Sequence, residues 1–370
     1  MRRCHARPAG DARAERDAGS KRNAQAAGEK GAARDARARI AAHGAATGTT
    51  SRRATHSAAA FAALAALGQS VDAAAQAANA ARTRDARVRP PIETVHVQGN
   101  VYMLVGAGGN IAVQIGSDGV LVVDTGTAER SGDVLAAIRQ LSNGPIRWIV
   151  NTHLHADHTG GNEAISQAGM TVNGNPAAII AHENVLTRMS EAGAPVTALP
   201  LNTFFEDRRD FYFNGEAVFL YHVPTAHTDG DVIVHFRGSD VVVAGGLFST
   251  THYPVIDANS GGGIDGFIDG LNLILDLTVP AYLQEGGTYV IPGHGRLSDE
   301  SDVVEYRDMT LFIRDRIAHM IERGLSLEEV LAARPALDYD TRYGNEGGPW
   351  TSAAFIEAVY RDLQRKVGSR

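Results

Sequence analysis

The sequence predicts a mixed α/β domain in which β-sheets and helices form layers. Three observations predict this class. Short apolar runs separated by glycine or Ser-Asp-Gly indicate strands joined by hairpins. Segments with apolar residues at helical spacing lie between the later strands. A series of helical segments then closes the chain. This order of elements, with strands first, then strands and helices in alternation, and finally helices alone, favours layered sheets.

The composition is that of a globular protein with an uneven charge distribution. The chain has 370 residues, of which 44% are apolar and 21% charged, enough for one large domain or two ordinary ones. Residues 1–90 hold 17 Lys and Arg against 7 Asp and Glu, a net charge of +10, and the rest hold 18 against 35, a net of −17. An acidic body argues against nucleic acid as a partner. The single cysteine, Cys4, permits no intrachain disulfide and offers the body no thiolate ligand.

The first ninety residues contain two predicted segments. Residues 1–50 have almost no large apolar side chains, so we expect a disordered leader. Residues 51–90 have a basic start at Arg52 and Arg53, a short apolar run over 58–67 and small residues after it, which indicates an export signal and linker. The Ser-Arg-Arg opening resembles a twin-arginine signal. We therefore expect a periplasmic or secreted protein; the alternative is an alanine-rich leader without an export role and a cytoplasmic protein. The apolar run is too short for a permanent membrane span.

The folded part begins after two prolines with short strands and then alternates strands and helices. Gly160 and Gly161 allow a tight turn after the fifth strand, and a helix from about Asn162 can follow. We divide the chain into a main domain at 91–300 and a C-terminal helical extension at 301–370. The predicted strands are 95–97, 101–105, 111–115, 120–123, 146–150, 177–181, 217–223, 231–236, 240–245 and 288–291, and the predicted helices are 128–141, 264–277, 299–324, 326–333 and 352–366.

The stretch "HLHADH" at 153–158 follows a buried strand and crowds metal-binding side chains together. His153 and His155 are two apart, so in extended chain they point the same way and can hold one ion. Asp157 and His158 come after the chain turns and can face a second ion. Burying three imidazoles and a carboxylate together is costly without a cation, so the cluster predicts a metal site.

Two further histidines stand in similar positions. His227 follows the strand at 217–223, and His294 follows the strand at 288–291. Loops at strand ends are where α/β proteins place their chemistry, so we expect both histidines to complete the metal set. The remaining histidines of this region are expected to be structural or surface residues, with one of them, His252, close to a probable loop: His182, His222, His235 and His252.

Four motifs in this order closely resemble the metallo-β-lactamase fold superfamily: "DTG" at 124–126, "HLHADH" at 153–158, "AHTDGD" at 226–231 and "PGHG" at 292–295. The resemblance covers about residues 94–300. It implies a four-layer αββα sandwich, to which the chain adds its C-terminal helical extension. It also implies two metal ions, with His153, His155 and His227 on the first, Asp157, His158 and His294 on the second, and Asp124 as a buried aspartate behind the ligands.

Gly246 departs from the pattern of that superfamily. Many relatives carry a bridging aspartate at this position, and glycine has no side chain to ligate a metal. Six ligands remain, a three-plus-three set used by one subclass of true metallo-β-lactamases; the alternatives are a weakened second site or lost activity. Asp229 or Asp231 could compensate, but we expect Asp231 to anchor its loop and Asp229 to be solvated.

The resemblance implies a zinc-dependent hydrolase with two ions, in which a metal-bound hydroxide attacks the carbonyl of an amide, ester, lactone or thioester. Iron and manganese accept the same ligands, but relatives with di-iron oxygen chemistry usually carry Glu where His155 stands. Asp157 is the predicted catalytic residue, which orients the hydroxide and passes a proton to the leaving group. The predicted partner is a small-molecule substrate.

Phe248, His252 and Tyr253 are the candidate substrate contacts, whereas Trp350 is expected to pack in the tail. Three alternatives stay open. They are a true β-lactamase, an iron-dependent sulfur dioxygenase of the same fold, and a non-catalytic binding protein with a degraded second metal site.

Overall fold

The computed structural model describes residues 89–345 and 347–368. The predicted leader at 1–50 lies outside the described residues, and so does the predicted export signal and linker at 51–90 except for its last two residues. No helix in the described ranges combines the length and the apolar character needed to cross a membrane.

The first sheet has seven strands in the order β1-β2-β3-β4-β5-β6-β7. Its first four strands form an antiparallel meander, as the glycine-separated runs predict, and the last four are parallel. The strands are β1 Glu93–Gln98, β2 Val101–Ala107, β3 Gly109–Gly116, β4 Gly119–Val123, β5 Ile146–Val150, β6 Ala178–His182 and β7 Asn202–Phe204.

The second sheet has six strands in the order β13-β12-β11-β10-β9-β8. Its pairs are antiparallel except for β11 and β12, which are parallel. The strands are β8 Arg208–Phe213, β9 Glu216–Val223, β10 Asp231–Phe236, β11 Val241–Ser249, β12 Tyr289–His294 and β13 Ser298–Asp299.

Helices connect the strands and continue past the second sheet. The helix predicted at 128–141 begins with a 3₁₀ turn and becomes α-helical at Ser131. The α-helices are α1 Ser131–Leu141, α2 Ala156–Thr159, α3 Asn162–Ala168, α4 Glu183–Glu191, α5 Ile264–Leu277, α6 Glu300–Glu322, α7 Leu327–Ala333, α8 Asp340–Tyr343 and α9 Ser352–Gly368.

Successive side chains of a strand point to opposite faces of the sheet, so the two sheets form three apolar layers. In β4, Leu121 and Val123 pack between the two sheets, whereas Val120 and Val122 pack against α1 on the outer face. On the outer face of the second sheet, Ile233 packs with α5, α6 and the segments after them. Helices therefore cover both outer faces of two stacked sheets, which confirms the αββα sandwich with C-terminal helices.

The helices after residue 300 share one apolar cluster with the second sheet. Tyr306 and Phe355 are buried there beside Phe267 of α5. Trp350 is partly buried on the same cluster, and its Nε1 donates to Pro254 O at 3.1 Å. The tail packing predicted for Trp350 is confirmed.

The sandwich places the metal-capable residues at one edge of both sheets. Asp124 follows β4 and the "HLHADH" stretch follows β5, both at the carboxyl ends of parallel strands of the first sheet. His227 lies between β9 and β10, and His294 ends β12, both in the second sheet. The site is consequently assembled from the two sheets together.

Candidate metal centre

Asp124 fixes the start of the loop that follows β5. Its Oδ1 accepts from the backbone N–H of Thr152 at 2.8 Å, and its Oδ2 accepts from Thr152 Oγ1 at 2.7 Å. Thr152 Oγ1 in turn lies 2.9 Å from His153 Nδ1. Asp124 has φ of 64°, a left-handed conformation that aspartate adopts more readily than most residues. The first histidine of the loop is therefore held through Thr152 by the end of the neighbouring strand.

The first group of candidate ligands contains His153, His155 and His227, whose ligand atoms lie within 4.8 Å of one another. His155 Nδ1 is 2.8 Å from His227 Nε2. The ring of His153 stands 4.7 Å from that of His227 and 5.0 Å from that of His155. A tetrahedral zinc with bonds of about 2.0–2.1 Å holds its ligand nitrogens about 3.3 Å apart, so small ring movements would let this group fit an ion.

The nitrogens of the first group that face away from the cluster are also held. His155 Nε2 is 3.0 Å from Asp257 Oδ2, and His227 Nδ1 is 2.7 Å from Val255 O. An acceptor on the far nitrogen fixes the tautomer and leaves the near nitrogen free to bind a metal. His155 would therefore use Nδ1 and His227 would use Nε2.

The second group contains Asp157, His158 and His294. Asp157 Oδ2 lies 3.1 Å from His294 Nε2 and 3.8 Å from His158 Nε2, and the two imidazole nitrogens are 3.4 Å apart. His158 Nδ1 is 2.7 Å from Asp124 Oδ2, so its Nε2 is the atom that faces the cluster. These separations fit the edges of a zinc coordination sphere.

Burial and neighbouring charges set the protonation of the cluster. Burial, reinforced by the other imidazoles, lowers the pKa of His153, and burial with the nearby His155 lowers the pKa of His227 to about 3. Burial acts against ionisation of Asp157, but the hydrogen bond with His294 and the charge of His158 lower the pKa of this carboxyl. Burial likewise disfavours the His158 cation, yet Asp124 raises the pKa of that ring. The lowered pKa values of His153, His227 and Asp157 favour the neutral imidazoles and the ionised carboxylate that bind metals, whereas His158 would have to release its proton when a metal binds.

Two glycines leave the space that the rings of two candidate ligands occupy. A Cβ on Gly246 would lie 2.2 Å from His227 Cδ2, and a Cβ on Gly109 would lie 2.3 Å from His158 Cε1. The position where relatives carry a bridging carboxylate is thus in contact with the ring of a candidate ligand. An acidic side chain at 246 would displace His227.

The two nearby aspartates do not replace that carboxylate. Asp231 accepts from the backbone N–H and Oγ1 of Thr228 at 2.7 and 3.0 Å, so its predicted role as a loop anchor is confirmed. Asp229 was expected to be solvated, and that prediction is wrong. Both of its carboxylate oxygens accept hydrogen bonds from Arg188, at 2.7 and 2.5 Å.

Two of the three predicted substrate contacts point elsewhere. Phe248 and Tyr253 are buried in the apolar cluster under the C-terminal helices, so the prediction that they contact substrate is wrong. The Tyr253 hydroxyl donates to Ala336 O and Asp340 Oδ1. His252 is half-buried with its ring 5.4 Å from that of His294, and its contact with substrate stays a prediction.

Asp257 is the site residue that the sequence did not reveal. It is a lone aspartate in a loop, and its partner His155 lies 102 positions earlier in the chain. The other histidines left aside stay outside the cluster: His182 stacks on His222 with ring centroids 3.5 Å apart. A cavity of about 970 Å³ opens near Trp148 and Tyr212, but none of the six candidate ligands lines it. The chemistry is therefore expected at the six candidate ligands and not in this cavity.

Residues 96–298 match the family model of the metallo-beta-lactamase superfamily, more than half of the chain. The chain belongs to this superfamily.

Known relatives include alkylsulfatases. A linear primary-alkylsulfatase of Pseudomonas sp. (strain ATCC 19151) is 24% identical over 258 residues, 58% of this chain and 47% of the relative. Among solved structures, a double mutant of a sec-alkyl sulfatase aligns with a TM-score of 0.59 at 17% identity, over 78% of this chain and 52% of that one. A stereoselective inverting sec-alkylsulfatase from Pseudomonas sp. aligns with a TM-score of 0.56 at 16% identity, over the same shares. The chain thus spans about half the length of these relatives.

Proposed function

We propose that this protein is a dinuclear zinc hydrolase that cleaves neutral acyl compounds: amides, esters, lactones or thioesters. The observation that carries the proposal is the ligand set, five imidazoles and one carboxylate in two neighbouring groups of three. Nitrogen and oxygen ligands without thiolate suit zinc, and three protein ligands leave a coordination position open.

His153, His155 and His227 would hold the first ion, and Asp157, His158 and His294 the second. Bound zinc would supply Lewis acidity and lower the pKa of a water molecule at the site. The protein itself supplies rigidity. The buried His153 and His158 lie against the Asp124–Thr152 pair, so they would keep their positions through the reaction.

Asp157 is the candidate for proton transfer. Its side chain is 39% exposed, against 32% for His294 and 1% for His158, so Asp157 is the most exposed ligand of this group. The lowered pKa of Asp157 keeps the carboxylate ionised, which is the form that would bind a metal ion. A proton held on its oxygen can then pass to the leaving group.

The charges around the cluster favour a neutral substrate. Within the described ranges, no arginine or lysine makes a hydrogen bond or ion pair with the six candidate ligands. Arg296 stands two residues after His294, but its guanidinium is paired with Asp302 at 2.7 and 2.5 Å. The direct contacts described for the six candidate ligands therefore include no cationic side chain that could pair with an anionic substrate.

A second candidate function is hydrolysis of alkyl sulfate esters. It is favoured by the 24% identity with the linear primary-alkylsulfatase. The same cluster would serve, but the sulfate group would lack a cationic side chain among the contacts described above.

The test combines metal analysis with a substrate panel on the full chain. We expect close to two zinc ions per chain after zinc loading, and turnover of at least one of nitrocefin, an aryl ester, a lactone or a thioester. His155→Ala serves as the matched control and should lose the turnover. Sulfate release from dodecyl sulfate without acyl turnover would establish the second candidate instead. One iron with oxygen uptake would support the dioxygenase alternative, and no bound metal after loading would contradict the hydrolase.

A further inference from the structure

The segment His252–Asp257, with the sequence HYPVID, contacts two ligands of the first group. Asp257 Oδ2 lies 3.0 Å from His155 Nε2, and the backbone N–H of Asp257 donates to His227 O at 2.9 Å. Val255 O accepts from His227 Nδ1 at 2.7 Å. Three contacts from two residues, Val255 and Asp257, thus fix the ring of His155 and both the ring and backbone of His227.

The opposite side of the HYPVID segment is held by the C-terminal extension. Its residues 252–254 each make a hydrogen bond with a residue beyond 300, and the ring of Tyr253 stacks on Phe355 with centroids 5.0 Å apart. The hydrogen bonds are Tyr306 Oη to His252 O at 3.0 Å, Tyr253 Oη to Ala336 O and to Asp340 Oδ1 at 2.9 Å each, and Trp350 Nε1 to Pro254 O at 3.1 Å.

His155 needs such support more than its neighbours do. Its side chain is 29% exposed, whereas His153 and His227 are buried, so packing alone does not fix its ring. A carboxylate on the far nitrogen of a ligating imidazole orients the ring and strengthens its bond to the metal. Asp257 supplies this carboxylate for the ring of His155.

We propose that Asp257 is the positioning residue of the first metal site, and that the C-terminal extension acts on this site by holding the HYPVID segment. The inference rests on the proposed function, because it requires that the first group bind an ion. It assigns a role in the chemistry to residues 301–370, which lie outside the range matched by the family model.

A purely structural role for Asp257 can be separated from the positioning role. Asp257 Oδ1 accepts from the backbone N–H of Asn259 and of Ser260, both at 3.1 Å, while Oδ2 is the atom that faces His155. Asp257→Asn keeps an acceptor for the two backbone groups. It replaces Oδ2 by an NH₂ group, which cannot accept from His155 Nε2–H.

The decisive measurement is a metal titration of the full-length apoprotein against a competing chelator, with Zn²⁺ and with Co²⁺. In a His158→Ala background only the first group is complete, so one ion reports on it. We expect Asp257→Asn to weaken binding of this ion by about 10- to 100-fold and to change the Co²⁺ absorption spectrum. Asp299→Asn is the control: like Asp257, which caps the 3₁₀ helix Ala258–Ser260, Asp299 caps a helix with its side chain, and it is not among the candidate ligands. Equal affinities and spectra for Asp257→Asn and Asp299→Asn would overturn the positioning role.

A matched pair of tyrosine variants tests whether the C-terminal extension acts on the first metal site. Tyr306→Phe removes the bond to His252 O, and Tyr360→Phe removes a bond of the same 3.0 Å length to Leu325 O, outside the segment. We expect a several-fold loss of first-site affinity in Tyr306→Phe alone. The same affinity in both variants would overturn the role of the extension. If wild-type protein binds no metal, the proposed function fails; if it binds two ions and Asp257→Asn binds them equally well, only this inference fails.

Discussion

Asp124 joins two parts of the metal centre through one side chain. One carboxylate oxygen holds the backbone of Thr152, and the other contacts both Thr152 Oγ1 and His158 Nδ1. The residue also occupies a left-handed backbone conformation, which asparagine tolerates as well as aspartate does. Loss of its charge can therefore be tested without straining the turn.

We predict that Asp124→Asn weakens zinc binding at the second group by about 10- to 100-fold, because the carboxylate that orients His158 is lost. Chelator competition measures the change. Asp240→Asn is the control, since Asp240 is another buried aspartate with positive φ and lies outside the metal centre. A drop of the same size in the control would show that the effect is structural.

Gly246 gives a second prediction for a single residue. Gly246→Ala should lower the zinc content from two ions towards one, because the new Cβ would overlap the ring of His227. Elemental analysis measures the content. In Gly132→Ala the new Cβ meets nothing within 4 Å, so that variant should keep both ions. Two zinc ions in the Gly246 variant would show that the ring can move aside.

At the scale of elements, α9 is fastened to the start of α5. Asp362 of α9 is buried, accepts from the backbone N–H of Ile264 at 3.1 Å, and pairs with Lys366 at 2.8 Å. The start of α5 packs on the loop that carries His227, since the backbone N–H of its N-cap, Gly263, donates to Ala226 O at 2.9 Å. Helix α9 thereby supports the second sheet's side of the metal centre.

We predict that Asp362→Asn lowers the free energy of unfolding at neutral pH by about 1–2 kcal/mol. Although burial opposes ionisation, the hydrogen bonds from Lys366 and Arg365 lower the pKa of Asp362. A carboxyl with a lowered pKa stabilises the fold above its unfolded pKa, and this contribution disappears as the pH falls through the folded value. The difference between wild type and variant should therefore shrink below about pH 4.

Urea unfolding at several pH values measures this difference. Glu357→Gln on the same helix removes the same charge from an exposed pair with Arg361, and we expect it to change stability by less than about 0.5 kcal/mol. A constant difference across the pH range would contradict the assignment to the Asp362 charge.

The elements that the sequence predicted well are those with a continuous apolar signal. The strands at 146–150 and 231–236 and the helix at 264–277 have the predicted bounds, because apolar residues mark each of them in the sequence. The strand β8, with the sequence RRDFYF, was missed because it lies at a sheet edge and exposes half of its residues. The short β7 was missed for lack of length.

The same limits apply to the site. The six candidate ligands could be predicted because each lies at or after the end of a strand, and these strands can be recognised from the local sequence. Asp257 was missed because its contact with His155 depends on how a distant loop folds back. The aromatic residues Phe248 and Tyr253 were assigned to the cleft because sequence does not show which side of a loop faces the core; here the C-terminal helices cover them.

At the scale of the molecule, each candidate ion joins the two sheets. The first group combines the β5 loop with His227 of the second sheet, and the second group combines that loop with His294. Because the ligands come together only in the folded chain, metal that binds the native state stabilises it by mass action.

We predict that zinc at a hundredfold excess over its dissociation constant stabilises the fold by about 2.7 kcal/mol. In a domain of this size, that gain corresponds to a rise of about 5–10 °C in the melting temperature. Calorimetry with and without a chelator measures the rise. A double variant, His158→Ala with His227→Ala, should melt at the same temperature in both conditions. An unchanged wild-type melting temperature would contradict metal binding across the sheets.

The lack of space between position 246 and the ring of His227 also constrains how this protein could change by mutation. A single codon change that introduces a carboxylate at 246 would expel an existing ligand before the new one could contribute. Directed evolution towards a centre with a bridging carboxylate at position 246 would have to change position 227 first. The variant at that intermediate step would lack one of the six candidate ligands. If the protein has the proposed function, intermediates between the two forms of the centre would bind metal poorly, and selection for activity would act against them.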